Sequence, residues 1–304
     1  MRPLPRCPRR AGLKPACIFI LVCFLFLLTG CSSKTPNPAE QEATQEEKEE
    51  PVRTKRTILT DLRYGDRSDN TFDLYLPEGL EEGSATPFFL YLHGGGWISG
   101  DKSEGKAICE FLQGHGYPVA SMNYSLVTSP STLESWNGEV TACIKAVIEQ
   151  LKDYGLDGNQ MAIWGYSAGA HIGMLYGFED TEKPVPVRFI VDVAGPAALL
   201  PEVWGNDSIY LQIFERLGNR EFLEAYSPAL QIHNTDIPVL LAYAGSDTLI
   251  GTLQASYLQE HLEASGVDNE LIWFVGSDHD LADDPQNWHW LLETVLEWSK
   301  RLFE

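Results

Sequence analysis

The sequence predicts an α/β fold with a mostly parallel central sheet and helices on both faces, and two observations carry that expectation. Short continuous apolar runs recur along the chain, at Phe88–Leu92, 163–164, 189–193, 239–243 and 271–275. A strand covered on both faces has no polar side to show and reads this way. Helix-length segments lie among them, at 106–113, 140–151, 170–176, 253–264 and 288–302. A strand that returns parallel to its neighbour needs a crossover of about a dozen residues or more, usually a helix, so the alternation implies parallel pairing with helices packed on each face. Before these, Phe72, Leu74 and Leu76 alternate as a half-covered strand does. No internal repeat interrupts the pattern, and 304 residues that are 44% hydrophobic suffice for one large domain, here 58–304.

The N-terminus reads differently. Residues 1–30 hold Arg2, Arg6, Arg9, Arg10 and Lys14 with no acid, then an apolar run over 16–28. That is the layout of a signal peptide, and the run is short of the roughly 20 residues that span a bilayer as a helix. It ends in Leu28-Thr29-Gly30-Cys31, which resembles the bacterial lipobox. The resemblance implies cleavage before Cys31, lipidation of that residue, and anchoring to the cell membrane or outer membrane on its extracytoplasmic side. Residues 31–57, rich in Pro, Glu, Gln and Thr and without an apolar period, are expected to form a disordered acidic linker.

Charge and cysteines narrow the partners. The chain carries a net charge of −21, and without the five cations of the leader 17 basic residues face 43 acidic ones, a net of −26. Such a field repels nucleic acid and gains nothing from anionic headgroups, so the expected membrane tether is the lipid on Cys31. Cys7, Cys17 and Cys23 leave with the leader. Cys109 and Cys143 sit at apolar positions of expected helices without metal-ligand spacing, so buried packing is favoured over a disulfide.

Gly165-Tyr166-Ser167-Ala168-Gly169 follows an apolar run and precedes a helical segment, the context of a nucleophile elbow. Its turn strains Ser167, and a side chain at 165 or 169 would crowd the neighbouring backbone. A hydroxyl is a poor nucleophile near neutral pH, so a base and an orienting acid are needed, in the order Ser, acid, His. His93 and His115 precede the serine, and His171 lies on the helix after it, pointing into the fold. Among His233, His261, His279 and His289, His279 stands just beyond a strand, in Gly276-Ser277-Asp278-His279. His261 falls inside a helix, His289 at a helix start, and His233 before a turn. Asp247 follows another strand, in Ala244-Gly245-Ser246-Asp247, 32 residues before His279, room for one helix and one strand; Asp192 and Asp236 are the alternatives. His93-Gly94-Gly95-Gly96-Trp97, also after a strand, can turn several backbone N–H groups toward one point, as a tetrahedral oxyanion requires.

With these motifs the chain resembles the α/β-hydrolase superfamily, in the branch of hormone-sensitive-lipase-like and carbohydrate-esterase-like carboxylesterases. The similarity runs from about Tyr64 to Phe303 and includes Leu74-Tyr75-Leu76-Pro77, Gly100-Asp101-Lys102, Asn123-Tyr124 and Ser227-Pro228. It implies a triad of Ser167, Asp247 and His279, an oxyanion hole at the backbone of Gly95, Gly96 and Ala168, and no metal or cofactor. It departs from the family at Ser125, where members usually carry Arg, and at 132–139, where they carry Pro-x-x-x-Asp. The expected activity is hydrolysis of short acyl esters of small molecules or carbohydrates. A peptidase or amidase using the same triad is the alternative, and a non-catalytic surface-binding protein a weaker one. About 45 residues between 193 and 239 allow a small cap insertion or none.

Overall fold

In the computed structural model the strands are β1 (Thr57–Arg63), β2 (Thr71–Leu76), β3 (Phe88–Leu92), β4 (Val119–Met122), β5 (Met161–Tyr166), β6 (Val187–Val193), β7 (Val239–Ala244) and β8 (Asn269–Phe274). The helices are α1 (Lys106–Gly114), α2 (Pro130–Lys152), α3 (Ala168–Phe178), α4 (Pro201–Trp204), α5 (Arg220–Ala225), α6 (Thr252–Ala264) and α7 (Pro285–Leu302). The structure describes residues 53–204, 212–214, 218–232 and 235–304, all in the unit 49–304. The leader, Cys31 and the expected linker as far as residue 52 lie outside the described residues. The last residues assigned to that linker join the fold, since Thr54 N–H donates to Leu80 O and Gly79 N–H to Thr54 O, both at 2.9 Å.

The strands form one sheet in the order β1-β2-β4-β3-β5-β6-β7-β8. β1/β2 and β2/β4 pair antiparallel, and every pair from β4/β3 to β7/β8 is parallel. This is the α/β-hydrolase architecture the sequence implies. Alternate residues of one strand feed two cores: Phe88, Leu90 and Leu92 of β3 pack with α2, α3 and α6, while Phe89 and Tyr91 pack with α1 and α7. The apolar runs thus have no polar face because each covers two helical layers, every fully buried Leu or Phe contributing about 1.5–3 kcal/mol.

Three features differ from the sequence reading. β1 and β4 had no strand signal of their own: β4 has four residues, too few to show a period, and is buried between β2 and β3. α2 begins ten residues before the expected start at 140. Gly138, Asn137 and Thr132 are weak helix formers, yet Leu133, Trp136, Val140, Cys143, Val147 and Leu151 bury one stripe, and that packing outweighs propensity. The two departures from the family pattern meet across this helix. The Glu139 carboxylate accepts from Ser125 N–H at 2.8 Å and Ser125 Oγ–H at 2.5 Å, and Trp136 Nε1–H donates to Ser125 O at 2.8 Å. Cys109 and Cys143 are free and buried, in different cores.

Candidate active site

Ser167 sits between β5 and α3 with φ 52° and ψ −118°, a left-handed conformation that a non-glycine residue adopts at a cost of about 1–3 kcal/mol. Packing holds it there. A Cβ on Gly165 would overlap the backbone of Ala170, and one on Gly169 would overlap the carbonyl groups of Leu92 and His93, so strand and helix can approach this closely only through glycine. Ser167 N–H donates to Val193 O at 2.8 Å, tying the turn to β6.

His279 and Asp247 arrive on neighbouring loops after β8 and β7. Gly245 N–H donates to Phe274 O at 2.9 Å and Ser246 N–H to Ser277 O at 3.0 Å, so the two loops are laced together before they reach the site. His279 Nε2 is 2.9 Å from Ser167 Oγ, and His279 Nδ1 is 2.7 Å from Asp247 Oδ2. The other Asp247 oxygen accepts from the N–H groups of Leu249 at 2.8 Å and Ile250 at 3.0 Å. Burial opposes charge on Asp247, but the His279 hydrogen bond and these two amides outweigh it and hold the carboxyl below its ordinary value. An ionised Asp247 puts the His279 proton on Nδ1 and leaves Nε2 as an acceptor facing the serine hydroxyl. The site can therefore take a proton from Ser167 and return it elsewhere. Tyr166 Oη–H steadies the loop by donating to His279 O at 3.1 Å.

The other titratable candidates fall elsewhere. Asp236 is exposed ahead of β7, and Asp192 is buried against Tyr243. His261 caps back onto Tyr257 O within α6 at 2.8 Å, exposed His289 faces Glu293 at 3.1 Å, and His233 lies outside the described residues. His171 points into the fold, as its helical position requires.

Gly95, Gly96 and Trp97 have φ of 111°, 59° and 63°, three successive left-handed residues. Their loop is closed by Ile98 and Ser99, whose N–H groups donate to Gly95 O at 3.2 and 3.1 Å. It abuts the serine turn, since a Cβ on Gly94 would meet the Tyr166 ring and Gly169 packs on the end of β3. Ala168 is the first residue of α3, so its N–H is among those a helix leaves without an internal acceptor. The segments that carry Gly95, Gly96 and Ala168 therefore pack against one another beside the serine turn.

Sequence reasoning missed what supports this loop. Trp97 Nε1–H donates to His171 Nδ1 at 3.2 Å, which leaves the His171 proton on Nε2, 2.8 Å from Tyr226 O. Burial pushes His171 down to about 4, so the ring stays neutral and can serve as this two-sided bridge. Tyr124 stacks on His93, ring centroids 4.3 Å apart, and its Oη–H donates to His93 O at 2.8 Å. The signal was present in the motif residues His93, Trp97 and His171, but only packing assigns partners 74 residues apart.

A strand–serine–helix turn on this sheet, with the aspartate and histidine in the loops after β7 and β8, defines the chain as an α/β-hydrolase. The chain belongs to the BD-FAE family, whose profile matches residues 72–262. It is 25% identical over 245 residues to an isoprenylcysteine alpha-carbonyl methylesterase of Arabidopsis thaliana, covering 74% of this chain and 57% of that protein. It is also 25% identical over 248 residues to an ethyl acetate hydrolase of Pseudomonas putida, covering 73% of this chain and 75% of the other. The chain spans about half the length of the plant relatives it matches. A solved truncated carbohydrate esterase from gut microbiota superposes with a TM-score of 0.66 at 19% identity, over 80% of this chain and 96% of that one, a likeness of fold.

Proposed function

We propose that this chain is a serine carboxylic ester hydrolase acting on short acyl esters of small molecules or carbohydrates. The observation that carries the reading is the line from Ser167 through His279 to Asp247, with contacts of 2.9 and 2.7 Å. In this mechanism Ser167 Oγ attacks the ester carbonyl carbon while His279 Nε2 takes the hydroxyl proton. Negative charge on the carbonyl oxygen meets the N–H groups of Gly95, Gly96 and Ala168, each such donor being worth about 10² to 10³ in rate. His279 then protonates the leaving alcohol, an acyl group remains on Ser167, and water repeats the sequence to release the acid. Asp247 keeps the imidazole in the productive tautomer and stabilises its cation.

The names of the relatives support ester cleavage, and that of the ethyl acetate hydrolase supports a short acyl group. The test is turnover of p-nitrophenyl esters from acetate to decanoate by residues 32–304, beside Ser167→Ala. Turnover that peaks at acetate or butyrate and falls to background in the variant is the expected result. Retained turnover in the variant removes Ser167 from the mechanism, and cleavage of aminoacyl p-nitroanilides without ester turnover replaces the esterase reading with a peptidase. We also propose that the mature chain begins at a lipidated Cys31 and works on the outer side of a membrane. The sequence of residues 16–31 supports this, and among the described residues no helix is long and apolar enough to cross a bilayer.

A further inference from the structure

Asp192, set aside above as a partner for His279, is wholly buried at the end of β6, where its polar contacts are with Tyr243 and Gly195. Gly195 N–H donates to Asp192 Oδ1 at 2.9 Å. Tyr243 Oη lies 2.6 Å from Asp192 Oδ2 and also 2.6 Å from Gly195 O. Oxygens this close need a proton between them, and a phenol has one to give. The Gly195 carbonyl has none, so Tyr243 donates to Gly195 and the carboxyl must supply the proton of the other contact. An ionised Asp192 would leave one of these pairs as two lone-pair oxygens pressed together in a buried site.

We propose that Asp192 acts as a neutral carboxylic acid, a positioning residue that closes a ring of hydrogen bonds, Asp192 to Tyr243 to Gly195 and back, and so sets the turn on which Ser167 rests. The turn is 193–195: Val193 O accepts the Ser167 N–H at 2.8 Å, and Ala194, at φ 51°, donates its N–H to Ala242 O at 2.8 Å. Gly195 is required, because a Cβ there would crowd both the Asp192 carboxyl and Ala170 of α3. Burial agrees with the geometry, pushing Asp192 up to about 7. Burial raises Tyr243 well above its usual value, so it does not ionise to relieve the contact. Asp247 follows Tyr243 by four residues on the same strand end, so the ring ties the serine turn to the strand that carries the proposed triad acid.

The role in positioning Ser167 rests on the esterase reading, whereas the protonation of Asp192 does not. Asp192→Asn tests the second point, because an amide reproduces the neutral acid's donor and acceptor but cannot titrate. A carboxyl whose folded value lies above its unfolded one stabilises fully below the unfolded value and progressively less as pH rises to the folded one. Urea unfolding should therefore find the wild type and Asp192→Asn equal near pH 4, the variant increasingly the more stable up to about pH 7, and the gap constant beyond. Parallel curves overturn the proposal. Tyr243→Phe tests positioning: exchange of the Ser167 amide should quicken about tenfold in it and stay unchanged in Asp192→Asn at pH 6, a lost hydrogen bond being worth about that factor. Equal exchange in all three proteins overturns the role. With p-nitrophenyl acetate, Tyr243→Phe should lose kcat at unchanged KM while Asp192→Asn retains it. An absence of turnover in every protein, with the unfolding and exchange results as expected, removes the esterase reading and leaves the ring standing.

Discussion

Ser167 is held at φ 52° by neighbours that leave no room to relax, and the two flanking glycines are the means. Gly169→Ala is expected to cost on the order of 3–5 kcal/mol, because the new methyl meets backbone oxygens at the end of β3 rather than a side chain that can rotate away. Chemical denaturation reads this directly, and a loss below about 1 kcal/mol would show that the turn is looser than its contacts imply. At Asp247 the proposed orienting role separates from shape. Asp247→Asn keeps the volume but offers His279 a donor as readily as an acceptor, so kcat should fall by about 10³ to 10⁴ with KM little changed. The same substitution should move acid stability. A carboxyl held below its ordinary value of 3.8 stabilises above that value and loses its contribution as pH falls through the lowered one. Wild type should exceed Asp247→Asn in unfolding free energy at pH 7, and the gap should close below about pH 4. Both residues were legible in the sequence because each stands in a short glycine-bearing loop directly after an apolar run. Asp192 lacked that signature: its partner Tyr243 lies on the adjacent strand, 51 residues away.

The supporting elements show where local signals end. The motif residue Lys102 is nearly buried, with its Nζ 2.8 Å from Asp73 on β2 and 2.9 Å from Asp61 in the bulge of β1, while its N–H donates to Asn123 Oδ1 at 2.6 Å. Burial works against its charge, but the two carboxylates prevail and raise its proton affinity. The ammonium thus joins the antiparallel edge of the sheet to the segment that follows the glycine loop. Lys102→Met should destabilise by about 3–5 kcal/mol, since it leaves Asp73 buried without a counter-charge. A thermal shift matching that of Asp61→Asn, whose carboxylate is exposed, would show that Asp73 is solvated after all. Five of the six parallel strands, β3 and β5 to β8, were readable as apolar runs because helices pack on both faces of the sheet. β1 and β4 were not, since an edge strand and a four-residue strand owe their pairing to neighbours. The early turns of α2 escaped for a related reason: Ser125, Trp136 and Glu139 bind one another only after the helix has packed.

At the scale of the whole molecule, proposed anchoring and proposed chemistry are separable. The acidic surface should be repelled by anionic bilayers, so membrane association should depend on the lipid at Cys31. Cys31→Ser is expected to abolish incorporation of labelled palmitate and release the protein in soluble form with its esterase turnover intact, as fractionation and assay would show. Membrane retention of the variant would mean another tether. From the sequence alone came the parallel α/β sheet, the glycine loop, the serine turn and the order of serine, acid and base. Each is encoded locally, by periodicity or by residues whose backbone chemistry permits little else. Tertiary structure decided the distances among Ser167, His279 and Asp247, the neutral His171 bridge beneath the glycine loop, and the ring that Asp192 closes with Tyr243 and Gly195. These depend on contacts between residues far apart in the chain, and on burial, which changes which protonation state a group can hold.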